Sequence, residues 1–137
     1  MPVNKEMQDS PVNQNFHLDG VKHISAAEAH GLLKEQKGIL LDVRREDEFE
    51  VEQVPLQGVM LYPMEQIIDH IQQIPKEQTI IVMDSTGERG TKVARLLNIQ
   101  GFRHVANLDG GLVKWKEEGL PVENILPDAC GGCCGCT

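Results

Sequence analysis

The feature that most restricts the fold is a pair of short, largely apolar runs: Ile39 to Val43 within GILLDVR, and TIIVM ending at Met83. A strand with one wet face alternates apolar and polar residues. Runs without that alternation suit strands covered on both faces, the condition of a parallel sheet lying between helices. Helical patterns separate them. ISAAEAHGLLKEQKG opens with Ser25 as N-cap and Glu28 three residues on, a capping box, and Gly38 is its expected stop. MEQIIDHIQQI sets Met64, Ile67, Ile68, Ile71 and Ile74 at helical spacing, a stripe that should face a core. GERGTKVARLLNIQG follows, with Val93, Leu96 and Leu97 inward and Gly101 at its C-terminal side. FRHVANL reads as a third strand, and GGLVKWKEEGLP as a last short helix ended by Gly119 and Pro121. Strands and helices alternating at this spacing predict a three-layer α/β domain around a central, mainly parallel sheet.

In such sheets the working site lies at the carboxyl ends of the strands. Asp42 to Arg44, the loop 84–89 and Asp109 to Gly111 should therefore share one edge, with the loop after IIVM at its centre. A tight turn from a parallel strand into a helix points backbone N–H groups inward, and the helix dipole adds partial positive charge, so the turn is suited to an anion.

Composition narrows the function classes. With 21 acidic against 13 basic residues the formal charge is -8, which repels nucleic-acid phosphates and anionic lipid. No apolar run approaches the ~20 residues that span a bilayer, and MPVNKEMQDSPVNQNF lacks the basic-then-apolar layout of a secretory signal. The expectation is a cytoplasmic protein with neither nucleic-acid nor membrane partners. Residues 1–20 are polar, carry Pro2 and Pro11 and show little periodicity, which predicts a flexible N-terminal arm.

The segments LLDVRREDEFE, VPLQGV, IIVMDSTGERG and NLDGGLVKWKEEGLPVE, in this order and spacing, resemble a single-domain rhodanese, a sulfurtransferase-type module. The resemblance covers residues 21–124 and implies the rhodanese-like α/β/α fold; residues 125–137 then form an added Gly/Cys-rich tail. In active members the loop begins with a cysteine that takes a sulfur atom from thiosulfate or another donor, holds it as a persulfide and passes it on. The resemblance puts that position on Asp84. Gly87 and Arg89 match the loop's glycine and arginine, and Gly90 stands where a small residue is common. Ser85, Thr86, Gly87, Glu88 and Arg89, with Arg44, are the implied loop and anion-binding set. A carboxylate cannot form a persulfide, so conventional catalysis at 84–89 is not expected. Asp84 is instead expected either to fill the anion cradle itself, accepting loop N–H bonds with Arg89 as counter-charge, or simply to cap the helix.

Other matching positions carry blander expectations. Asp42 in LDVR reads as a buried, backbone-bonding residue and Arg44 as a candidate for the loop rim. Val54 and Pro55 stand where the family often has Gly-His. Trp115 reads as core, RREDEFEVE as a solvated charged run, and the glycines of Asp109-Gly110-Gly111 as a turn that lets a helix start close to the loop. His17, His23, His30, His70 and His104 show no metal-ligand spacing and are expected at the surface or at strand edges.

Neither a core nor the family pattern explains CGGCCGCT. Cys130 and Cys133 form a C-x-x-C and Cys134 and Cys136 a C-x-C, all joined by glycine. Four thiolates can close a site for zinc, copper(I) or an iron–sulfur centre, and the same thiols can carry sulfur or cycle as disulfides. From Pro121 to Cys136 the chain extends at most ~50 Å at ~3.3 Å per residue, enough to return to the loop. Three readings stay open: a sulfur-handling protein whose tail cysteines take sulfur from a sulfane donor or pass it to a thiol acceptor; a thiol-rich metal-binding protein on an inactive scaffold; and a non-catalytic binding module.

Overall fold

A computed structural model describes residues 7–124. Six strands form the main sheet: β1 (Met7–Gln8), β2 (Lys22–Ile24), β3 (Ile39–Asp42), β5 (Met60–Leu61), β6 (Ile80–Met83) and β7 (Val105–Leu108), in the spatial order β1-β2-β7-β6-β3-β5. Only β1 runs antiparallel to its neighbour; the other pairings are parallel. A second, two-stranded ladder joins β4 (Glu52–Gln53) to β8 (Glu123–Asn124). The helices are α1 (Ala26–Lys34), α2 (Glu46–Val51), α3 (Ile67–His70), α4 (Glu88–Ile99) and α5 (Gly111–Glu117).

The apolar runs lie where their lack of alternation requires, with all four residues of β6 and all four of β7 buried. One face of the sheet carries Leu40, Ile81, Met83, Ala106 and Leu108 against Ala29, Leu32 and Leu33 of α1 and Leu112 and Trp115 of α5. The opposite face carries Leu41, Val43, Ile80, Val82 and Val105 against Ile67 of α3 and Val93, Ala94 and Leu97 of α4. At ~1.5–3 kcal/mol for each large apolar side chain taken from water, these two layers supply most of the folding drive. Trp115 is fully buried, and its indole N–H donates to the Pro121 carbonyl at 2.8 Å.

Local expectations fare unevenly. Ser25 caps α1, its hydroxyl oxygen accepting from the Glu28 N–H at 3.2 Å. The expected stop at Gly38 comes early: α1 ends at Lys34 and the chain reverses through Gln36 at φ +59°, with the Lys37 N–H donating to Leu32. Gly101, at φ +96°, closes α4 as expected. The stripe over 64–74 is not one helix. It breaks into a 3-10 turn, α3 and a second 3-10 turn, which rotates Ile68 to 56% exposure while Ile67 and Ile74 stay buried. The third strand begins at Val105, three residues later than FRHVANL suggests, with Phe102 buried beneath α4.

The flexible arm expected over residues 1–20 is corrected from Met7 onward. Met7 and Gln8 add an antiparallel strand against Ile24 and His23, and the residues that follow lie across the carboxyl edge of the sheet through side-chain acceptors that polarity alone did not reveal.

Candidate active-site loop

The three segments expected at one edge do meet there. Parallel register places the ends of β3, β6 and β7 side by side, so Asp42, Asp84 and Asp109 follow from adjacent strands. Asp84 sits at the tip of β6, 1% exposed, and the chain turns through Gly87 at φ +106° into α4. Its carboxylate occupies the concavity of that turn. Oδ1 accepts from the Gly87 N–H at 2.6 Å and Oδ2 from the Arg89 N–H at 2.9 Å. Burial pushes the Asp84 carboxyl above its usual range, opposed by the N–H groups of Arg89 and Gly87 and by the Arg89 charge. Gly90 leaves no room for a side chain: a Cβ there would stand 2.3 Å from Asn107 Oδ1 and 3.2 Å from Asp84 Oδ1.

A second carboxylate, Glu48 of α2, closes the loop from outside. Arg89 donates to it bidentately, Nη1 to Oε1 at 2.8 Å and Nη2 to Oε2 at 3.0 Å, and Ser85 Oγ donates to Oε2 at 3.2 Å. The Arg45 N–H adds a bond at 2.8 Å, fixing the start of α2 against the loop. These charge-assisted bonds, the Arg89 guanidinium foremost, outweigh burial and hold the Glu48 carboxyl down to about 2. The Arg89 guanidinium is raised in turn, chiefly by Glu48, and its Nε lies 3.7 Å from Asp84 Oδ2. One cation thus serves two carboxylates. The sequence reading of RREDEFEVE as a solvated run missed Glu48. Its spacing of three from Arg45 signals a helix start, but its partner is 41 positions away in the chain.

The third side of the loop is backbone. The Leu112 and Val113 N–H groups at the start of α5 donate to the Asp84 and Ser85 carbonyls at 2.8 and 3.0 Å. This approach requires Gly111, which sits at φ +65° and whose Cβ would fall 2.5 Å from the Ser85 carbonyl carbon. The glycines therefore do what the sequence reading expected. Above the same edge, Asp109 accepts from the N–H groups of Val12 and Asn13 at 2.8 and 2.9 Å. Gln14 is pinned at both ends of its amide: Nε2 donates to the carbonyls of Phe16 and Gly87 and to Thr91 Oγ1, while Oε1 accepts from the Gly110 N–H and Asn107 Nδ2.

The remaining candidates scatter. Arg44, offered for the loop rim, is buried; its guanidinium is committed to Asp42, with Nη2 to Oδ2 at 2.9 Å, and to the Glu52 carbonyl at 2.7 Å. Asp42 also accepts from the Arg44 N–H, the backbone role expected of it. Thr86 and Glu88 are exposed, and Glu88 pairs outward with Lys92 at 3.6 Å. His23 is not at the surface: it is buried on β2 between His17 Nδ1 and Asn107 Nδ2, and burial lowers it to about 4. Cys130, Cys133, Cys134 and Cys136, proposed as thiol or metal-ligating residues, lie outside the described residues, as do residues 1–6. Among the described residues no helix is long and apolar enough to cross a membrane.

Beside the loop, α2 and α5 bound a cavity of about 350 Å³ whose lining includes Glu48, Ser85, Leu112, Val113 and Lys116, and Arg44, though buried, also reaches it. The family model for the rhodanese-like domain matches residues 25–118. The chain belongs to the rhodanese-like family. Among curated relatives of this rhodanese-like chain, a sulfurtransferase of Allochromatium vinosum is 30% identical over 84 residues, spanning 61% of this chain and 77% of that protein. The thiosulfate sulfurtransferase GlpE of Coxiella burnetii is 32% identical over 95 residues, spanning 69% and 87%. The crystal structure of the Alr3790 protein from Anabaena sp. superposes with a TM-score of 0.67 at 30% identity, covering 74% of this chain and 82% of that one. The rhodanese-like α/β fold with a mainly parallel sheet flanked by helices is thereby established.

Proposed function

We propose that this rhodanese-like chain handles sulfane sulfur through its C-terminal cysteines, with Asp84 standing at the position of the family's loop nucleophile. The observation that carries this reading is the Asp84 carboxylate accepting from the Gly87 and Arg89 N–H groups at 2.6 and 2.9 Å. The concavity that would cradle an anionic sulfur is taken up by a side chain that has no sulfur to offer. Arg89, the nearby cation, is itself held by Glu48. The only sulfhydryls in the sequence are Cys130, Cys133, Cys134 and Cys136.

The step is a displacement. A tail thiolate attacks the sulfane sulfur of thiosulfate, a new S–S bond forms on the cysteine, and the donor's S–S bond breaks with its electron pair leaving on sulfite. A second thiolate, on an acceptor or a partner protein, then takes the outer sulfur and returns the cysteine to its thiolate. No oxidant is needed.

The test is native mass spectrometry under anaerobic conditions, before and after thiosulfate or polysulfide. Three proteins are compared: wild type, the variant with all four cysteines changed to serine, and that variant carrying Asp84→Cys. Sulfur-sized increments are expected in the wild type, none in the four-serine variant, and their return with Asp84→Cys. Uptake that persists in the four-serine variant overturns the tail assignment. Failure of Asp84→Cys to take sulfur overturns the loop assignment. A stoichiometric metal mass that blocks uptake replaces this reading with the thiol-rich metal protein.

A further inference from the structure

We propose that the face formed by the end of α4 and the turn after it docks a short acidic segment of a partner protein, with an aliphatic side chain at the segment's centre. This surface is separate from the loop, and its occupant does not depend on the sulfur reading. Among the described residues, Lys34, Lys76, Arg95 and Arg103 are the basic side chains with no carboxylate within 4.0 Å. Three of these four gather around Phe102. Lys76 Nζ lies 5.5 Å from the centre of its ring, and Arg95 and Arg103 line a cavity of about 510 Å³ that Phe102 also lines. Lys22 joins the lining from β2, although its ammonium is shared with Asp9. In a chain with a formal charge of -8, uncompensated cations concentrated on one face create a local field opposite in sign to that of the whole molecule.

The fold does not need these cations as helix caps. The last carbonyls of α4 are already taken: the Gln100 N–H donates to Leu96 at 3.1 Å, the Gly101 N–H to Asn98 at 3.1 Å and the Phe102 N–H to Leu97 at 3.0 Å. Arg95 gives one bond, from Nη1 to the Asp19 carbonyl at 3.2 Å, and both it and Arg103 are exposed. Ile99 lines the same cavity, 67% exposed, one helical turn beyond Arg95 on the same face of α4, with buried Phe102 and Val105 as the floor. An aliphatic patch bordered by guanidinium forks suits an aliphatic residue flanked by carboxylates: the forks donate bidentately to the acids, and the apolar side chain covers Ile99. A free inorganic anion would use the cations and leave Ile99 wet. A nucleic-acid duplex or an anionic membrane brings a polyanion against the whole acidic surface, whereas a short segment meets only charges within the Debye length of ~10 Å. Asp19, the acidic residue of the lining, biases the segment's carboxylates toward Arg103. From Glu88 at the loop to Ile99 here, α4 runs 12 residues, ~18 Å at ~1.5 Å per residue, so a docked segment leaves the loop open.

The test is a heteronuclear NMR titration of the full chain, kept reduced, with the blocked peptide Glu-Glu-Leu-Glu-Glu. The peptide Glu-Glu-Ser-Glu-Glu, inorganic phosphate and a short DNA duplex are titrated alongside. Saturable shifts are expected at the amides of residues 99–105 and of Lys22, and none at 84–89. Arg95→Gln and Arg103→Gln should each weaken binding about fivefold, as losses of exposed ion pairs, and these effects should fade at high salt. Ile99→Ser should weaken binding about tenfold at any salt concentration; the side chain is exposed, so this variant keeps the fold. No saturable shifts at millimolar peptide, shifts centred on 84–89, or binding indifferent to these three variants overturn the proposal. Equal affinity for the serine peptide or for phosphate overturns it in favour of a simple anion site, and tighter binding of the duplex overturns it in favour of nucleic acid.

Discussion

Replacing Glu48 with glutamine measures how strongly the loop is closed by charge. Glutamine keeps the length and one acceptor oxygen but turns the other into an NH₂ group, which must face either an Arg89 N–H or the Ser85 hydroxyl. Hydrogen bonds to charged groups contribute ~1.5–3 kcal/mol and exposed ion pairs ~0–1 kcal/mol. The Arg89 and Glu48 side chains are 25% and 21% exposed, between these limits, so Glu48→Gln should cost about 1–2 kcal/mol near neutral pH. For a domain of this size that lowers Tm by about 3–10 °C. The pH dependence is the sharper test. Glu48 titrates at about 2 in the fold against 4.5 ordinarily. A depressed carboxyl contributes stability above its unfolded value and loses it as pH falls through the folded one. The gap between wild type and Glu48→Gln should therefore be constant from neutrality to about 4.5 and shrink steadily toward about 2. Urea titrations followed by far-UV circular dichroism across that range provide both numbers. A gap under about 0.3 kcal/mol at neutral pH, or one that does not close on acidification, would refute the argument that this ionised pair holds the loop.

Three further outcomes follow from the same edge. Gly111→Ala should destabilise by more than ~3 kcal/mol in urea unfolding, because left-handed backbone costs ~1–2 kcal/mol and the new Cβ also meets loop backbone that cannot give; Gly20→Ala, at φ +86° with open space around it, should cost only the first part. Gln14→Ala leaves the Gly110 N–H without its acceptor and Asn107 Nδ2 with only His23 Nδ1, at ~1–3 kcal/mol, and should speed hydrogen exchange at the Gly110 amide; unchanged exchange there would refute the clamp. His23, lowered to about 4 from 6.5 by burial and by His17, must shed its proton to fold, so stability should fall as pH drops from 6.5 toward 4. His23→Asn should flatten that slope, a change on the order of 1–3 kcal/mol across the window, and an unaltered slope would assign the acid sensitivity elsewhere.

The central strands and the position of the loop were legible because they depend on patterns contiguous in sequence: ILLDV and IIVM without alternation, Ser25 and Glu28 at capping distance, glycines at the two loop-facing turns. What was not legible depends on partners far along the chain. Val12, Asn13 and Gln14 look unfixed in the sequence until Asp109 and Asn107, more than 90 positions on, supply acceptors and donors. Glu48 belongs to a run of charges that solvates well enough, and only the fold brings Arg89 to it. The break in the 64–74 stripe was not legible either: helical spacing already puts Ile67, Ile71 and Ile74 on one face, and nothing in that pattern marks the 3-10 turns on either side of α3.

The two carboxylates around Arg89 are pushed in opposite directions, and this bears on what the loop can bind. Glu48 is held ionised by a bidentate partner, whereas Asp84 has two backbone donors and only a distant share of the guanidinium, so burial lifts it. An exogenous dianion such as thiosulfate that sought the same cation has to displace Glu48 first and then tolerate Asp84. If the pair contributes about 1–2 kcal/mol, displacement alone weakens such binding roughly 5- to 30-fold. Glu48→Gln should therefore raise the loop's affinity for sulfate, used as an unreactive probe, by a factor in that range, read as a sulfate-dependent rise in Tm beyond that of the wild type. An equal response in both proteins would mean that anions reach Arg89 past Glu48, and that the loop is less closed than its hydrogen bonds imply.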